Sequence, residues 1–326
     1  MRVKSLLLLF FLFISSISYG QNREKYAALV QEASSLYHGK DFEKSAQKYK
    51  AAFDVLEGKA YPSDRYNAAC SYALANDSEN AFYHLFRLAE SGSKYRDYNH
   101  ITSDSDLNAL QSNKRWNELV ALVKTNKEEY EKDLDKPLVK QLDAIYQLDQ
   151  SYRRQIGDIE EKYGRNSEEM QNHWRLIMET DSINLIKVKK ILDERGWLGP
   201  KVLGQQGNGT LFLVIQHSDL ETQVKYLPMM REAVKKGNAR ASSLALLEDR
   251  VALGQGKRQI YGSQIGRDPE SGEYYVLPLL EPENVNARRR EVGLGPIEEY
   301  TFQMNLTWNL EKHKERTKRI ESVQKK

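Results

Sequence analysis

Apolar side chains recur at helical spacing over most of the chain. The spacing of three, four or seven positions predicts helices over 138–163, 167–194, 220–236 and 241–253. Two stretches with strand character, Gln259–Ile265 and Glu273–Leu280, flank the segment GRDPESG and predict one β-hairpin. A last short helix is expected to begin at Pro282. The pattern therefore predicts a mainly α fold that carries a small hairpin.

The segment GWLGPKVLGQQGNGT, residues 196–210, interrupts this pattern with five glycines. It contains neither the GxGxxG motif nor the Gly-Lys-Ser/Thr motif that would hold a nucleotide phosphate. We therefore expect a turn-rich connection here, followed by the buried run Leu211–Gln216.

The next helix has two local signals. Ser218 and Glu221 have the spacing of a capping box, with Ser218 as N-cap and Asp219 as the first helical residue. Pro228 lies inside the apolar spacing and predicts either a kink or two short helices.

Two stretches of the first half are similar to each other. They read LYHGKDFEKSAQKYKAAF from Leu36 and SYALANDSENAFYHLFRLA from Ser71. Aligning Asp41 with Asp77 gives a period of about 36 residues, which is typical of helix–turn–helix repeats.

This half resembles tetratricopeptide repeats. The matching small and aromatic positions are Tyr49, Ala52, Ala68, Ala69, Tyr72 and Ala81. Pro62 lies later than the usual terminal proline, and the Trp that opens the first helix is missing. A third, degenerate closing pair is expected around Leu107, Leu110, Trp116, Leu119 and Leu122. The resemblance implies a surface that binds a protein or peptide partner, and the alternative is a short packing module that supports the second half.

The first twenty residues have the three parts of a signal peptide. Arg2 and Lys4 precede the apolar run Leu6–Ile14, and the small residues of 15–20 lead to a cleavage point before Gln21. The apolar run is shorter than the ~20 residues that cross a bilayer. The residue directly after the cleavage point is Gln21, not the cysteine that would carry a lipid anchor. We expect an exported protein, periplasmic or secreted, with no stable membrane span.

Composition sets the remaining limits. The chain has 326 residues, which suggests about two domains, and its formal charge of +3 is too small to indicate a nucleic-acid partner. Its one cysteine, Cys70, can form no internal disulfide and is expected to be a small buried side chain. The predicted organisation is a signal peptide (1–20), helical repeats (24–125), a charged linker (126–137), an α-rich domain (138–308) and a charged tail (309–326).

Polar residues cluster at several points of the second half. They form the stretches DQSYR, DSIN, QHSD with Gln223, EDR, QIYGSQ, ARRREVGLGP and EEY. In this order, over about residues 138–302, they resemble a bacterial family known only as a domain of unknown function. The resemblance implies no activity, but it does imply that these residues belong together.

Two functions remain open from these residues. In the first, they form a ligand-binding or catalytic pocket around His217, an imidazole suited to general acid–base chemistry. The catalytic candidates are His217, Asp219 and Asp249. The ligand-binding candidates are Arg153, Asp181, Asn184, Gln216, Gln223, Arg250, Gln259, Tyr261 and Gln264. In the second, the protein is a non-enzymatic scaffold or interaction module, and the clusters are structural hydrogen-bond networks.

Other chemistry has less support. His217, Asp219 and Asp249 could ligate a metal, but no HExxH or paired-histidine spacing exists, so no metal or cofactor is expected. A serine nucleophile lacks the GxSxG setting, and Cys70 lies in the repeat region. Whether the protein is an enzyme, and on which small molecule it would act, stays open.

Overall fold

The computed structural model describes residues 22–92, 94–268 and 271–324. The predicted signal peptide lies outside them. The chain divides into an N-terminal unit, up to Lys132, and a C-terminal unit, from Asp133. No helix within the described ranges combines the length and apolarity needed to cross a bilayer.

All regular secondary structure in the described part of the N-terminal unit is helical. Its elements are α1 (22–38), α2 (Phe42–Val55), α3 (Pro62–Leu74), α4 (Ser78–Glu90), α5 (Tyr98–Ser103), a 3-10 helix (Ser105–Leu110) and α6 (Lys114–Glu131).

The α1–α2 and α3–α4 connections are the same turn, repeated 36 residues apart. Lys40 and Asn76 both adopt the left-handed conformation, with φ of 62° and 61°. The next residues, Asp41 and Asp77, cap the following helices with their side chains. The amide of each aspartate also donates to a carbonyl five residues earlier at 2.9 Å. The period seen in the sequence is thus present as repeated helical hairpins.

The hairpins pack through small and aromatic side chains. The six positions on which the repeat alignment depends are all buried: Tyr49, Ala52, Ala68, Ala69, Tyr72 and Ala81. Cys70 is buried among them, as expected, with 4% of its surface exposed. Burial also raises the pKa of its thiol, so the group is unreactive in the folded unit.

The C-terminal unit is α-rich and carries one β-hairpin, as predicted. Its elements are α7 (Lys136–Arg153), α8 (Ile156–Tyr163), α9 (Glu168–Arg195), α10 (Pro200–Gln216), α11 (Leu220–Lys235), α12 (Ala241–Gly254), β1 (Ile265–Arg267), β2 (Tyr274–Val276), a 3-10 helix (Pro282–Asn284), α13 (Val285–Glu291), α14 (Ile297–Phe302) and α15 (Leu310–Gln324). The strands pair antiparallel, with Ile265 opposite Val276.

Helices α7, α9 and α10 enclose the larger core of this unit. Fully buried Leu142, Ile145, Val188, Leu211 and Ile215 meet there, and α11 and α12 pack on α10. The apolar stripe predicted over 138–163 is divided by a turn after Arg153, so the polar end of α7 is left next to α9 and α10.

The turn-rich connection expected at 196–210 is wrong from Pro200 onward, where the chain is helical. α10 includes the glycines, with a kink at Gly204, whose φ of 68° and ψ of 173° suit only glycine. A Cβ on Gly207 would lie 3.3 Å from Leu142 Cδ1, so glycine lets α10 approach α7 closely. Close packing therefore outweighs the poor helix propensity of glycine here.

One prediction about α11 is wrong, and one of the two alternatives for Pro228 is excluded. The N-cap of α11 is Asp219, whose side chain accepts from the Thr222 amide at 2.8 Å, whereas Ser218 Oγ donates to the Ile215 carbonyl. Pro228 lies inside α11 without dividing it into two helices. The charged tail forms α15, on which His313 and Thr317 are buried.

Candidate functional site

The carboxylate of Asp149 lies at the polar end of α7, where α7, α9 and α10 meet. Only 1% of Asp149 is exposed, and it is hydrogen-bonded on both oxygens. Oδ1 lies 3.0 Å from His217 Nδ1 and accepts from Arg153 at 3.2 Å, and Oδ2 accepts from Gln150 at 2.6 Å. Burial acts to raise the pKa of Asp149, but these donors, His217 first, hold it below its usual value.

Arg153 joins this carboxylate to a second one. Its guanidinium donates to both oxygens of Asp181, at 2.9 and 2.6 Å, and also to the Asp149 backbone carbonyl at 2.8 Å. Such a bidentate interaction fixes the orientation of both the guanidinium and the carboxylate. We call Asp149, Arg153, Asp181 and His217 the His217 cluster.

The His217 cluster borders an open cavity of about 290 Å³. His217, Asp149, Asp181 and Asp219 supply polar groups to its wall, and Met178, Leu185 and Val214 supply apolar ones. The side chain of His217 is 16% exposed, and its Nδ1 is engaged by Asp149. Nε2 is therefore the nitrogen that remains for a ligand. A side chain with one fixed ring nitrogen and one available can transfer protons directionally.

The same residues have the composition of a metal site. Asp149, Asp181 and His217 offer ligand atoms that lie within 4.8 Å of one another. A cation there would have to displace Arg153, whose guanidinium already bonds both carboxylates. A second group with suitable atoms, Cys70, Asp104 and Asp106, lies in the N-terminal unit.

Two further predicted ligand-binding residues are Asn184 and Arg250. Asn184 is one helical turn from Asp181 on the same face of α9, is fully buried, and has no hydrogen-bond partner among the described residues for either amide atom. Arg250, on α12, is half-buried, and burial, with a smaller effect of the Arg153 charge, lowers the pKa of its guanidinium.

Asp249 serves a different group. It is fully buried, and its carboxylate accepts from the amides of Ile260, Tyr261 and Ser263 at 2.6, 2.8 and 2.9 Å. The carboxylate that accepts a hydrogen bond from His217 is thus Asp149, whereas Asp249 accepts from backbone amides.

Side chains from α13 and α14 hold the same loop. Arg288 and Arg289 donate to the carbonyls of Ile260 and Tyr261 at 2.8 Å, and Tyr300 donates to the Ser263 carbonyl at 2.7 Å. We call these three residues, together with Asp249 and Gln259, the loop clamp. The loop clamp gives a structural role to polar residues from four of the sequence stretches, namely EDR, QIYGSQ, ARRREVGLGP and EEY.

The glutamines among the predicted site residues also bond mainly to backbone. Gln259 donates to the carbonyls of Gln264 and Leu277 and accepts from the Gln264 amide. Gln223 donates to the carbonyls of Gln216 and Ser218 and so holds the turn between α10 and α11. The Gln264 side chain donates to Ser263 Oγ at 3.0 Å.

The sequence did not identify Asp149 as the partner of His217. Its signal was present, because Asp149 and Arg153 lie four residues apart on an otherwise apolar helix face. The spacing gives the face but not the helix opposite, which contributes His217 from 68 residues further along the chain.

Comparison with known proteins places the C-terminal unit. No curated protein and no solved structure matches the chain. Residues 136–312, more than half of the chain, match the model of a family of unknown function, DUF6624. The match begins with α7 and includes both the His217 cluster and the loop clamp. The chain therefore belongs to the DUF6624 family.

Proposed function

We propose that the C-terminal unit contains a general acid–base site, in which His217 exchanges a proton with a small polar ligand in the adjacent cavity. One observation carries this proposal: Nδ1 of His217 lies 3.0 Å from the buried Asp149 carboxylate, and the ring lines the cavity. A carboxylate at one ring nitrogen fixes the tautomer and directs the other nitrogen to the ligand.

None of the residues in the cavity wall is an activated nucleophile. Ser182 and Ser218 line it, but their hydroxyls donate to the carbonyls of Met178 and Ile215 at 2.9 and 2.7 Å. The supported reaction class is therefore proton transfer to or from the bound ligand, or activation of a water molecule by His217. A purely structural role explains the loop clamp well, but it does not explain why the imidazole borders a cavity.

The test is a ligand screen on the full chain by thermal unfolding, using small polar metabolites and cell-envelope fragments. We expect at least one compound to stabilise the wild-type protein and to lose that effect in His217→Gln and Asp149→Asn. Ser182→Ala is the matched control, because it changes the same wall without touching the proton path. A screen without hits, or hits that bind His217→Gln equally well, would favour the structural role.

The N-terminal unit fits a tetratricopeptide-like interaction module, and residues 2–20 support export. The repeated turns and the burial of all six aligned positions favour the first. Titration of the full chain with a peptide library, read out at N-terminal-unit resonances, tests it against a merely supporting role. Mass spectrometry of the protein from its native cell tests export, and an N-terminus at Gln21 is the expected result.

A further inference from the structure

The N-terminal unit contains a cavity of its own, of about 240 Å³. Its wall includes Cys70 from α3, His100 from α5, Asp104 between α5 and the 3-10 helix, and Asp106 within that 3-10 helix. Three tyrosines line it as well, whereas no lysine or arginine of the described ranges does. The cavity therefore gathers a thiol, an imidazole and two carboxylates without a positively charged side chain.

These four side chains converge on one oxygen atom, Oδ2 of Asp104. Cys70 Sγ and His100 Nε2 each lie 3.8 Å from it, although they come from different helices. Asp106 completes the set, because its carboxylate lies within 4.8 Å of the ligand atoms of Cys70 and Asp104. Ligand atoms that surround one zinc ion tetrahedrally at ~2.0–2.3 Å lie about 3.3–3.7 Å from one another. The observed separations are therefore close to those of a zinc site.

The imidazole of His100 is oriented as in a metal ligand. Its Nδ1 lies 2.9 Å from the hydroxyl oxygen of Tyr95, and its Nε2 is the nitrogen near Asp104. A ligating histidine generally keeps its second ring nitrogen on such a hydrogen-bond partner, which fixes both the tautomer and the ring. The nitrogen near Asp104 is thus free to offer its lone pair.

The two carboxylates lack a balancing cation. Among the described residues, no lysine or arginine forms an ion pair with Asp104 or Asp106. Tyr66 donates to Asp104 at 2.9 Å and Tyr37 donates to Asp106, but neutral hydroxyls leave the charge in place. These negative charges add to burial in raising the pKa of the Cys70 thiol, and a bound dication would reverse that effect.

Local structure explains only one oxygen of this group. Asp104 Oδ1 accepts from the Asp106 amide at 3.0 Å and so caps the 3-10 helix. Capping gives no reason for a thiol and an imidazole to lie near the other oxygen. That convergence is what a metal ion would use.

We propose that Cys70, His100, Asp104 and Asp106 form a binding site for one divalent metal ion of the zinc type. Thiolate, imidazole and carboxylate ligands together suit such an ion. The Cys70 thiol releases its proton to the solvent when the metal binds. The site belongs to the N-terminal unit and does not depend on proton transfer by His217.

The experiment titrates the full chain with cobalt chloride and then with zinc chloride, in a buffer that does not chelate metals. Cobalt should produce a thiolate-to-metal charge-transfer absorption in the near ultraviolet, and zinc should displace it. Cys70 is the only thiol in the sequence, so this absorption assigns the metal to this site and not to the carboxylates near His217.

Variants test the other ligands. His100→Ala and Asp106→Asn should each weaken zinc binding, measured by displacement of the cobalt absorption, by about tenfold or more. The His100 side chain is 52% exposed, so its loss leaves the hydrophobic core intact. Asp77→Asn is the matched control, because Asp77 caps α4 in the same unit outside this cavity, and its affinity should equal that of the wild type.

Two results would overturn the proposal. The first is the absence of a thiolate absorption when cobalt is added to the wild-type protein. The second is zinc binding by His100→Ala and Asp106→Asn that is as tight as in the wild type, since the metal would then be held by the thiol without the residues around it.

Discussion

At the scale of single residues, Asp149 decides the electrostatics of the site. Its carboxylate is removed from water yet accepts from His217, Arg153 and Gln150. Because these donors lower its pKa in the folded state, they stabilise the fold whenever the carboxylate is ionised.

This linkage predicts the pH dependence of stability. The contribution of Asp149 is fully present above its unfolded pKa of about 3.9 and is lost as the pH falls through its lower folded value. The free energy of unfolding of the wild type should therefore exceed that of Asp149→Asn at pH 7, and the difference should shrink towards pH 3. Urea unfolding at both pH values measures it. Asp143→Asn, on the same helix, is the control, and a difference that is constant with pH would contradict the prediction.

Asn184 leads to a second residue-level prediction. Its amide is fully buried without a partner in the described part of the chain, and such a group costs about 1–3 kcal/mol. Asn184→Leu should therefore raise the free energy of unfolding by about 1–2 kcal/mol, as measured in urea. Asn208→Leu is the opposite case, because Asn208 donates to the carbonyls of Leu198 and Asn238, and it should destabilise. Destabilisation by both changes would show that Asn184 has a structural partner.

At the scale of elements, the loop clamp makes α12 and residues 259–264 one structure. Three amides share the buried carboxylate of Asp249, and a left-handed Gly262 (φ 69°) closes the loop, where a Cβ would lie 2.8 Å from Ile297 Cδ1. The loop is therefore held from two sides, by Asp249 of α12 and by the residues after β2, where the Gln259 amide donates to the Pro278 carbonyl at 2.9 Å and the Leu277 amide donates to the Gln264 carbonyl at 3.1 Å.

The corresponding prediction concerns Asp249→Ala. It leaves three buried amides without an acceptor and should cost about 3 kcal/mol or more of unfolding free energy. Hydrogen exchange should accelerate at the amides of residues 260, 261 and 263. Asp219→Ala, which removes a single helix cap, should cost only about 1 kcal/mol. Equal losses in the two variants would contradict a special role for Asp249.

Apolar spacing was enough to predict α9, α11 and α12, because each follows its local pattern. The presence of one hairpin was also predicted, but its first strand is Ile265–Arg267, so residues 259–264 of the predicted strand lie outside it. Apolar spacing failed for α10, where Gly207 is tolerated only because Leu142 packs against it. It also could not show which side chains pair with each other. Periodicity places Asp149, Asp249 and His217 on their own elements, but the packing of α7 against α10 depends on tertiary structure. The loop clamp shows the same limit, since its members come from separate elements.

At the scale of the whole molecule, each unit has its own hydrophobic core. Clusters around Phe82 and Tyr49 lie in the N-terminal unit, and clusters around Leu142 and Leu279 lie in the C-terminal unit. The 36-residue period predicted the helical hairpins of the N-terminal unit from sequence, since a repeat can be recognised without knowing which residues are in contact.

Separate cores predict separate folding. A fragment of residues 133–326 should keep its helical circular dichroism and a dispersed amide NMR spectrum without the N-terminal unit. Its urea midpoint should match one transition of the full chain. Loss of dispersion in the fragment would show that the family domain needs the first 132 residues to fold.

The burial of Cys70 has a practical consequence. It is the only thiol in the sequence, and it lies inside the N-terminal unit. A thiol-reactive dye can therefore label the protein only when that unit opens. Its labelling rate in native buffer thus reports the local unfolding of the N-terminal unit. The C-terminal unit contributes no signal, and one label per molecule makes the readout stoichiometric. A ligand that slows the dye would be acting on the hairpins, without any engineered probe.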